Sequence, residues 1–327
     1  WFTASQNAEW GLSAAYTTLF LVLTVILVVI YYRVVIKRAG SFASITGKGY
    51  RPRRIPLGRW KWAALGLFCV YFLVTVVLPL AILLWASVLP SYKPPSFSEL
   101  HNLTLSNYRE LLSAPQIVHT AWNTLKLGLI TATVTMFLAF LVSWLVVRQR
   151  VRGGLALDAI SFIPHAIPSV AISVALIAFY LNPIMRWTHI YGTIGIMVLA
   201  MMTRFMAFGT RTANSSMAQL GSELEEAGYV SGVGKFRVLM RITFRLLAPA
   251  FAAGWIWVAA HSIKNLSVPL LLATPSNGTI ATTLYFYWQR KADFSLASAL
   301  GITLVAVLAV LAIISRKLIA SGFTGKE

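Results

Sequence analysis

Ionisable and hydroxyl side chains inside long apolar runs are the residues of this chain best placed to do chemistry. In one run Ser161, His165 and Ser169 recur at intervals of four, interleaved with Pro164 and Pro168. Residues four apart share a helix face, and polar groups in a membrane usually face a cavity or the bundle interior. The prolines free backbone carbonyls, which is tolerated beside protein or a water-filled path. The pattern predicts either a solute path lined by His165 or a kinked packing helix with a hydrogen-bonded histidine.

A second polar cluster closes another apolar run and consists of His261, Lys264 and Asn265. These residues share a helix face and extend the candidate path; in the alternative, Lys264 reaches the outer headgroups. Arg204 is predicted to lie near the cytoplasmic end of a further run and to contact headgroups there. If all three sets face the path, cations line most of it, which favours an anionic or chelated solute.

The sequence has no pattern typical of a catalytic, nucleotide or metal site. It has no glycine-rich loop followed by Lys-Ser or Lys-Thr, so the chain itself is not expected to bind ATP. The five histidines are scattered, without carboxylates at metal-ligand spacing. Cys69 is the single cysteine, which excludes an internal disulfide and a thiolate cluster. We therefore expect no catalytic residue, metal or cofactor on this chain.

One polar segment, SELEEAGYVSGVGKFRVLMRITFRLLAP from Ser222, interrupts the apolar sequence. Ser222 and Glu225 form a capping-box pattern, which predicts that a helix begins here. Gly232 suits the left-handed position that ends a helix, and a second helix is predicted from Lys235. A basic amphipathic helix also suits a connector resting on the membrane surface. The basic face of this helix comprises Arg237, Arg241 and Arg245, and the apolar face Phe236, Met240 and Phe244.

Composition places these patterns in an integral membrane protein. Hydrophobic residues make up 58% and charged residues 11%, whereas a soluble domain carries roughly 25% charged residues. The net charge of +19 falls between apolar runs, so membrane lipid is an expected partner and nucleic acid is not. Apolar runs long enough to cross a bilayer predict an all-α polytopic fold. They are Leu12–Tyr32, Trp62–Val88, Asn123–Val147, Leu155–Leu181, Ile190–Phe208, Leu247–Ala273 and Ala297–Ser315.

Basic residues predict the orientation of these seven spans. The stretch 33–61 carries nine Lys or Arg residues and no acidic residue, which marks it as cytoplasmic. Every strongly basic loop then falls on the same side. The amino terminus is accordingly predicted to be external and the carboxyl terminus cytoplasmic.

The polar segment resembles the EAA coupling loop of ATP-binding-cassette (ABC) importer permeases, whose pattern is Glu-Ala-Ala, three residues, Gly, nine residues, Ile, one residue, Leu-Pro. The register matches without a gap. The departures are Gly228, which weakens the helix, and Phe244-Arg245, which removes a proline bend. By resemblance, the short helix docks in a groove of a cytoplasmic ATPase dimer that holds ATP and Mg. The residues assigned to this loop are Glu225, Glu226, Ala227, Gly228, Gly232 and Ile242.

Other stretches resemble the iron(III)-type permeases of this family over about residues 60–317. They are Asn123-Thr124, FIPHAIPSV at 162–170 and LSVPLLL at 266–272. Members often carry Glu at the position of Asn265. The resemblance implies a type I importer bundle in the bacterial inner membrane, with a solute that is ferric iron or a chelated or anionic small molecule. It also implies a periplasmic solute-binding protein and a second permease half, fused or separate.

The implied organisation has three parts. Residues 1–32 are the last transmembrane helix of a preceding half, 33–61 a basic cytoplasmic linker, and 62–327 a six-helix permease domain with its coupling loop at 217–249. The alternative is an ion- or proton-coupled secondary transporter, which needs acids inside the membrane. The apolar runs offer almost none, since Asp158 lies at a predicted helix start and Asp293 in an external loop. A non-transporting scaffold has no use for broken helices with aligned polar faces.

Overall fold

The computed structural model describes residues 58–149, 151–221 and 223–323, with eight scattered positions between 15 and 30. The predicted first span, apart from those positions, the linker up to residue 57, and Ser222 lie outside the described residues. All regular elements of the described ranges are helical. The main helices are α1 (Trp60–Ser87), α2 (Ser106–Ser113), α3 (Pro115–Arg148), α4 (Gly154–Ala166), α5 (Ser169–Leu181), α6 (Ile194–Gln219), α7 (Glu223–Val230), α8 (Lys235–Ile263), α9 (Ser267–Leu272), α10 (Ile280–Gln289) and α11 (Phe294–Phe323).

Five of these helices are long and apolar enough to cross a membrane: α1, α3, α6, α8 and α11 over Phe294–Ile314. The pair α4 and α5 passes the same test together and makes a sixth if it counts as one span. The all-α polytopic prediction is confirmed. The number of seven stays a prediction, because the first span lies outside the described ranges.

The predicted fourth span is a broken helix, in line with the expectation from its two prolines. Its two halves, α4 and α5, meet at an angle of 103°. Pro168 restricts the residue before it to extended backbone, and Ile167 has φ −83° and ψ 128°. Ser161 and His165 therefore lie on one side of the break and Ser169 on the other, so the predicted common face of these three residues is wrong.

The predicted sixth span and the basic helix before it are one continuous helix, α8. We expected separate elements, with the span from Leu247 to Ala273. Without proline at position 245, the helix continues from Lys235 through a π turn at Leu239–Thr243 to Ile263. It ends ten residues before Ala273, and a new short helix, α9, follows.

Helices α3 and α6 both extend beyond the predicted spans. Helix α3 begins at Pro115 rather than Asn123, and α6 continues to Gln219 rather than Phe208. Arg204 consequently lies about 15 Å from one end of α6 and about 22 Å from the other. Its predicted place near the cytoplasmic end of the span stays a prediction, because the ends of a helix do not mark the membrane surfaces.

The core lies where α3 packs against α6 and α8. Small residues allow close approach at these contacts, as in other membrane bundles. A Cβ built on Gly209 of α6 would lie 2.8 Å from the Cβ of Ala139 on α3. One built on Gly128 of α3 would lie 2.6 Å from Cγ1 of Ile263 on α8. Helix α1 lies at the periphery, and its second half packs along α11.

Candidate functional site

The 223–245 segment, which comprises α7 and the first turns of α8, contains a glycine-ended turn. Gly232 has φ +77°, the left-handed conformation predicted for it. Its N–H donates to the carbonyl of Tyr229 at 3.0 Å, and the N–H of Val233 donates to the carbonyl of Gly228 at 3.1 Å. This is the Schellman pattern, which satisfies the last carbonyls of a helix. The turn reverses the chain so that α7 lies against α8.

Gly228 makes this close packing possible. A Cβ built here would lie 3.0 Å from Cγ2 of Val238 and 3.2 Å from Cδ1 of Ile242. Val238 is fully buried, so it has little room to move aside. The sequence pattern identified Gly228 as a weak point of the helix. In the structure it is also the point where α7 and α8 touch, and the packing partner was not evident from spacing alone.

The carboxylate of Glu225 is buried and fixes α7 to three other helices. Its Oε1 lies 3.2 Å from Nε of Arg148, at the end of α3, and accepts a 2.9 Å hydrogen bond from Oγ1 of Thr243 on α8. Arg148 Nη2 also donates to the carbonyls of Met217 and Leu220 at 3.0 and 2.9 Å, at the end of α6. Basic groups near a helix carboxyl end are favourable. No local sequence pattern indicated this role of Arg148.

Tyr229 belongs to the same buried cluster. Burial raises the pKa of its hydroxyl, and the neighbouring Glu225 carboxylate raises that pKa further. Both effects disfavour a second negative charge beside Glu225. The cluster therefore keeps a single anion, which Arg148 balances.

The outer surface of the 223–245 segment combines acidic, basic and apolar groups. Glu226 and Ala227 are exposed, unlike their neighbour Glu225. Val230 is 89% exposed and Phe236 66% exposed. Exposed apolar side chains rimmed by charge are typical of a protein-binding surface. The basic residues Arg237, Arg241 and Arg245 are also exposed, at the spacing of one helix face.

The Ser161 hydroxyl of the predicted path makes a hydrogen bond within its own helix, and the backbone carbonyl of Ser169 does the same. Ser161 donates to the carbonyl of Leu157 at 2.9 Å, and the carbonyl of Ser169 accepts from Ser173 at 3.0 Å. Both serines are buried, whereas His165 is exposed and its ring centroid lies 6.3 Å from that of Phe162.

The histidine of α8 lies in a stack of three rings. The centroids of Phe208 and Trp257 are 3.7 Å apart, as are those of Trp257 and His261, with interplanar angles of 18° and 21°. Lys264 follows His261 by three residues, and the ring of Phe205, the neighbour of Arg204, lies 6.4 Å from that of His261 between centroids. The structure thus brings together two of the predicted residues, His261 and Lys264, with Arg204 of α6.

Asn265 has a different role from its predicted neighbours. Its Oδ1 accepts a 3.1 Å hydrogen bond from the N–H of Val268, in the first turn of α9. Helix α8 ends just before it, so the predicted common face with His261 and Lys264 is wrong.

One ion pair links α4 to α6 beside the ring stack. Arg211 Nη2 lies 3.0 Å from Oδ2 of Asp158, and Nδ2 of Asn214 donates to Oδ1 of the same carboxylate at 3.2 Å. The Arg211 guanidinium also covers the ring of Phe162, 5.0 Å from its centroid. No local sequence pattern indicates this pairing, because its partners are over fifty residues apart.

Comparison with known proteins gives a family model, permease relatives and solved transporter structures that resemble this chain. A family model described as "Binding-protein-dependent transport system inner membrane component" matches residues 132–324, more than half of the chain. The Fe(3+)-transport system permease protein FbpB 2 of Haemophilus influenzae is 23% identical over 315 residues, 94% of this chain and 58% of that protein. The chain thus spans little more than half the length of this relative.

Two further matches cover more of the partner protein. A probable sulfate transport system permease protein cysT of Nephroselmis olivacea is 26% identical over 266 residues, 78% of this chain and 88% of that protein. A chain in the crystal structure of a bacterial alginate ABC transporter, bound to its alginate pentasaccharide-bound periplasmic protein, superposes with a TM-score of 0.62 at 18% identity. That superposition covers 80% of this chain and 96% of the other, and it supports the fold.

Proposed function

This chain belongs to the family of binding-protein-dependent transport system inner membrane components, and we propose that it supplies one permease bundle of an ATP-driven importer. The family match over residues 132–324 carries the proposal, since it includes both the core helices and the 223–245 segment. The bundle forms part of the solute path in the inner membrane. ATP is hydrolysed by a partner subunit, and this chain has no ATPase site of its own.

The 223–245 segment is the coupling loop in this proposal. The exposed surface around Glu226, Val230 and Phe236 docks on the cytoplasmic ATPase dimer. Glu225, on the opposite side of α7, transmits the movement, because its buried contacts tie α7 to the ends of α3, α6 and α8. In this proposal Glu226 contacts the ATPase, and Glu225 contacts the other helices of this chain.

A second bundle and a periplasmic solute-binding protein complete the transporter. The length relationship to the ferric relative supports a fused arrangement. Residues 1–32 are then the last helix of a preceding half, 33–61 its basic cytoplasmic linker, and the termini lie outside and inside respectively. The relatives named for Fe(3+) and for sulfate leave two solute classes, ferric iron or an anionic or chelated small solute.

Co-purification of an ATPase tests this function. The tagged chain is isolated in mild detergent as wild type and as Glu226→Lys, with Glu110→Lys on α2 as a charge-matched control far along the sequence from the loop. We expect an ATPase band and ATP hydrolysis with the wild type and control, and loss of both with Glu226→Lys. No ATPase and no hydrolysis with the wild type would contradict the proposal, and uptake driven by a proton gradient alone would favour a secondary transporter.

A further inference from the structure

We propose that a cation–aromatic face, formed by Arg204 and Phe208 of α6 with Trp257, His261 and Lys264 of α8, binds the passing solute and selects for negative charge. This inference rests on the proposed function, since only a permease has a solute path. It narrows the solute to an anion, either an oxyanion or a metal carried as a negatively charged chelate.

The spacing and the ring contacts place these residues on one continuous surface. Arg204 and Phe208 are four apart on α6, and Trp257, His261 and Lys264 follow at four and three on α8, so each set shares a helix face. The ring stack of Phe208, Trp257 and His261 joins the two helices. Arg204, Phe208, Trp257 and His261 are half-buried and Lys264 is exposed, so the surface is open to a partner or to water.

Arg204 lies inside a helix that is long and apolar enough to cross a membrane. It is ten residues from the start of α6 and therefore about 15 Å along the helix. Charged groups within such spans face the bundle interior or a water-filled cavity. In this chain the face is open, so the cavity forms between this bundle and the second one.

The charge on this face is uncompensated. Asp158 is the one carboxylate within the membrane-spanning helices that the structure describes, and it is already paired with Arg211 and Asn214. Across the same ranges the side chains of Arg204 and Lys264 have neither an ion pair nor a hydrogen bond. Two unpaired cations in a medium of low dielectric attract an anion and repel a bare metal cation. The anion that these two cations bind is therefore the solute itself.

Charge-selective labelling tests the proposal and does not require the solute to be identified. Ala260→Cys, in a Cys69→Ser background, places a thiol one turn before Lys264 on α8. The complete transporter, in lipid nanodiscs, is treated with methanethiosulfonates of opposite charge, the sulfonatoethyl anion and the trimethylammonioethyl cation. The ratio of the two labelling rates, divided by that for free 2-mercaptoethanol, reports the local potential.

We expect the normalised ratio to favour the anionic reagent by about tenfold and to fall severalfold in Arg204→Gln and in Lys264→Gln. Arg59→Gln, which removes an exposed charge just before the peripheral helix α1, serves as the control and should leave the ratio unchanged. Two test variants are measured so that the proposal can still be judged if one of them misfolds. A thiol inert to both reagents, a ratio at or below one, or a ratio that neither test variant lowers overturns the proposal.

The two proposals fail separately. If the ATPase still co-purifies with the labelled transporter but the ratio shows no preference for the anion, the permease function stands and the anion selectivity does not. If no ATPase accompanies the wild type, the permease function itself fails, whatever the labelling shows.

Discussion

Glu225 and Glu226 are adjacent in sequence and have opposite surroundings. The first is 6% exposed and pairs with Arg148, whereas the second is exposed. Removing one partner of a buried ion pair leaves the other charge without compensation. The two residues therefore offer a matched test of the anchoring contact.

We predict that Glu225→Gln destabilises the bundle by on the order of 3 kcal/mol, while Glu226→Gln stays within about 0.5 kcal/mol of wild type. Glutamine keeps an acceptor for Thr243 but removes the charge that balances Arg148. The measurement is the free energy of unfolding in detergent, from a denaturant titration. Equal effects of the two substitutions would show that Glu225 is not a structural anchor.

At the residue scale, the sequence could identify positions whose signal is local. Gly232 was predictable because a left-handed helix end favours glycine within a short pattern. The contacts of Arg148 and Arg211 were not predictable, since their acidic partners are 77 and 53 positions away in the chain. Such pairs depend on how helices cross, and a single sequence carries no record of that.

At the scale of elements, the turn between α7 and α8 depends on one backbone conformation. Gly232 has φ +77° and Gly234 has φ −62°, and no atom lies within 4 Å of a Cβ built at either position. The two glycines thus differ in backbone strain and not in available space.

We expect Gly232→Ala to destabilise the turn by about 1–2 kcal/mol, because L-residues pay a steric penalty in the left-handed region. Gly234→Ala should be neutral or slightly stabilising. Hydrogen exchange of the amides in the 223–245 segment measures both. Similar protection in the two variants would contradict the assigned role of Gly232.

The contact between α3 and α6 gives a second test at this scale. Gly209→Ala should destabilise the bundle by about 1–3 kcal/mol, because the new methyl group meets Ala139 Cβ at 2.8 Å and neither helix can move alone. Gly66→Ala on α1, where a Cβ meets nothing within 4 Å, should be neutral or stabilising. The measurement is the temperature of thermal unfolding of both variants in the same detergent.

Element boundaries were less predictable than element type. Apolar runs located every long helix of the described ranges, but the helices α3, α6 and α8 continue into polar sequence. Hydropathy marks where a helix meets lipid, whereas hydrogen bonding and caps set where it ends. Pro164 and Pro168 indicated the break in the fourth span, but the angle of 103° between its two halves was not evident from the sequence.

At the scale of the whole molecule, we expect the charge of Arg204 to lower the stability of the bundle while it serves transport. A charge at the centre of a membrane helix costs about 2.5–3.5 kcal/mol on insertion scales. We expect Arg204→Leu to unfold at a temperature no lower than wild type, although most substitutions at half-buried positions destabilise. The same variant should lose the charge preference of the labelling assay. A clearly lower unfolding temperature would mean that Arg204 supports the fold.

Composition and hydropathy sufficed to predict a polytopic helical bundle, and the glycine pattern of the loop pointed to the permease family. The contact between Phe208 and Trp257 escaped prediction, because it depends on how α6 and α8 pack together. The surface that the second bundle covers could not be predicted from one sequence either, because it forms only when α6 and α8 pack together.

The unbroken course of α8 has a mechanical consequence. Near its middle, at Gly254, this helix packs tightly against α3, because an added Cβ would lie 2.6 Å from Met136 Cε. From this fulcrum, Lys235 is about 28 Å away and Ile263 about 14 Å away. A tilt of α8 as a lever would halve the stroke between its loop end and Lys264. The π turn and Pro249 lie on the longer arm, so in the proposed importer their stiffness sets how much of a movement at the loop end reaches Lys264.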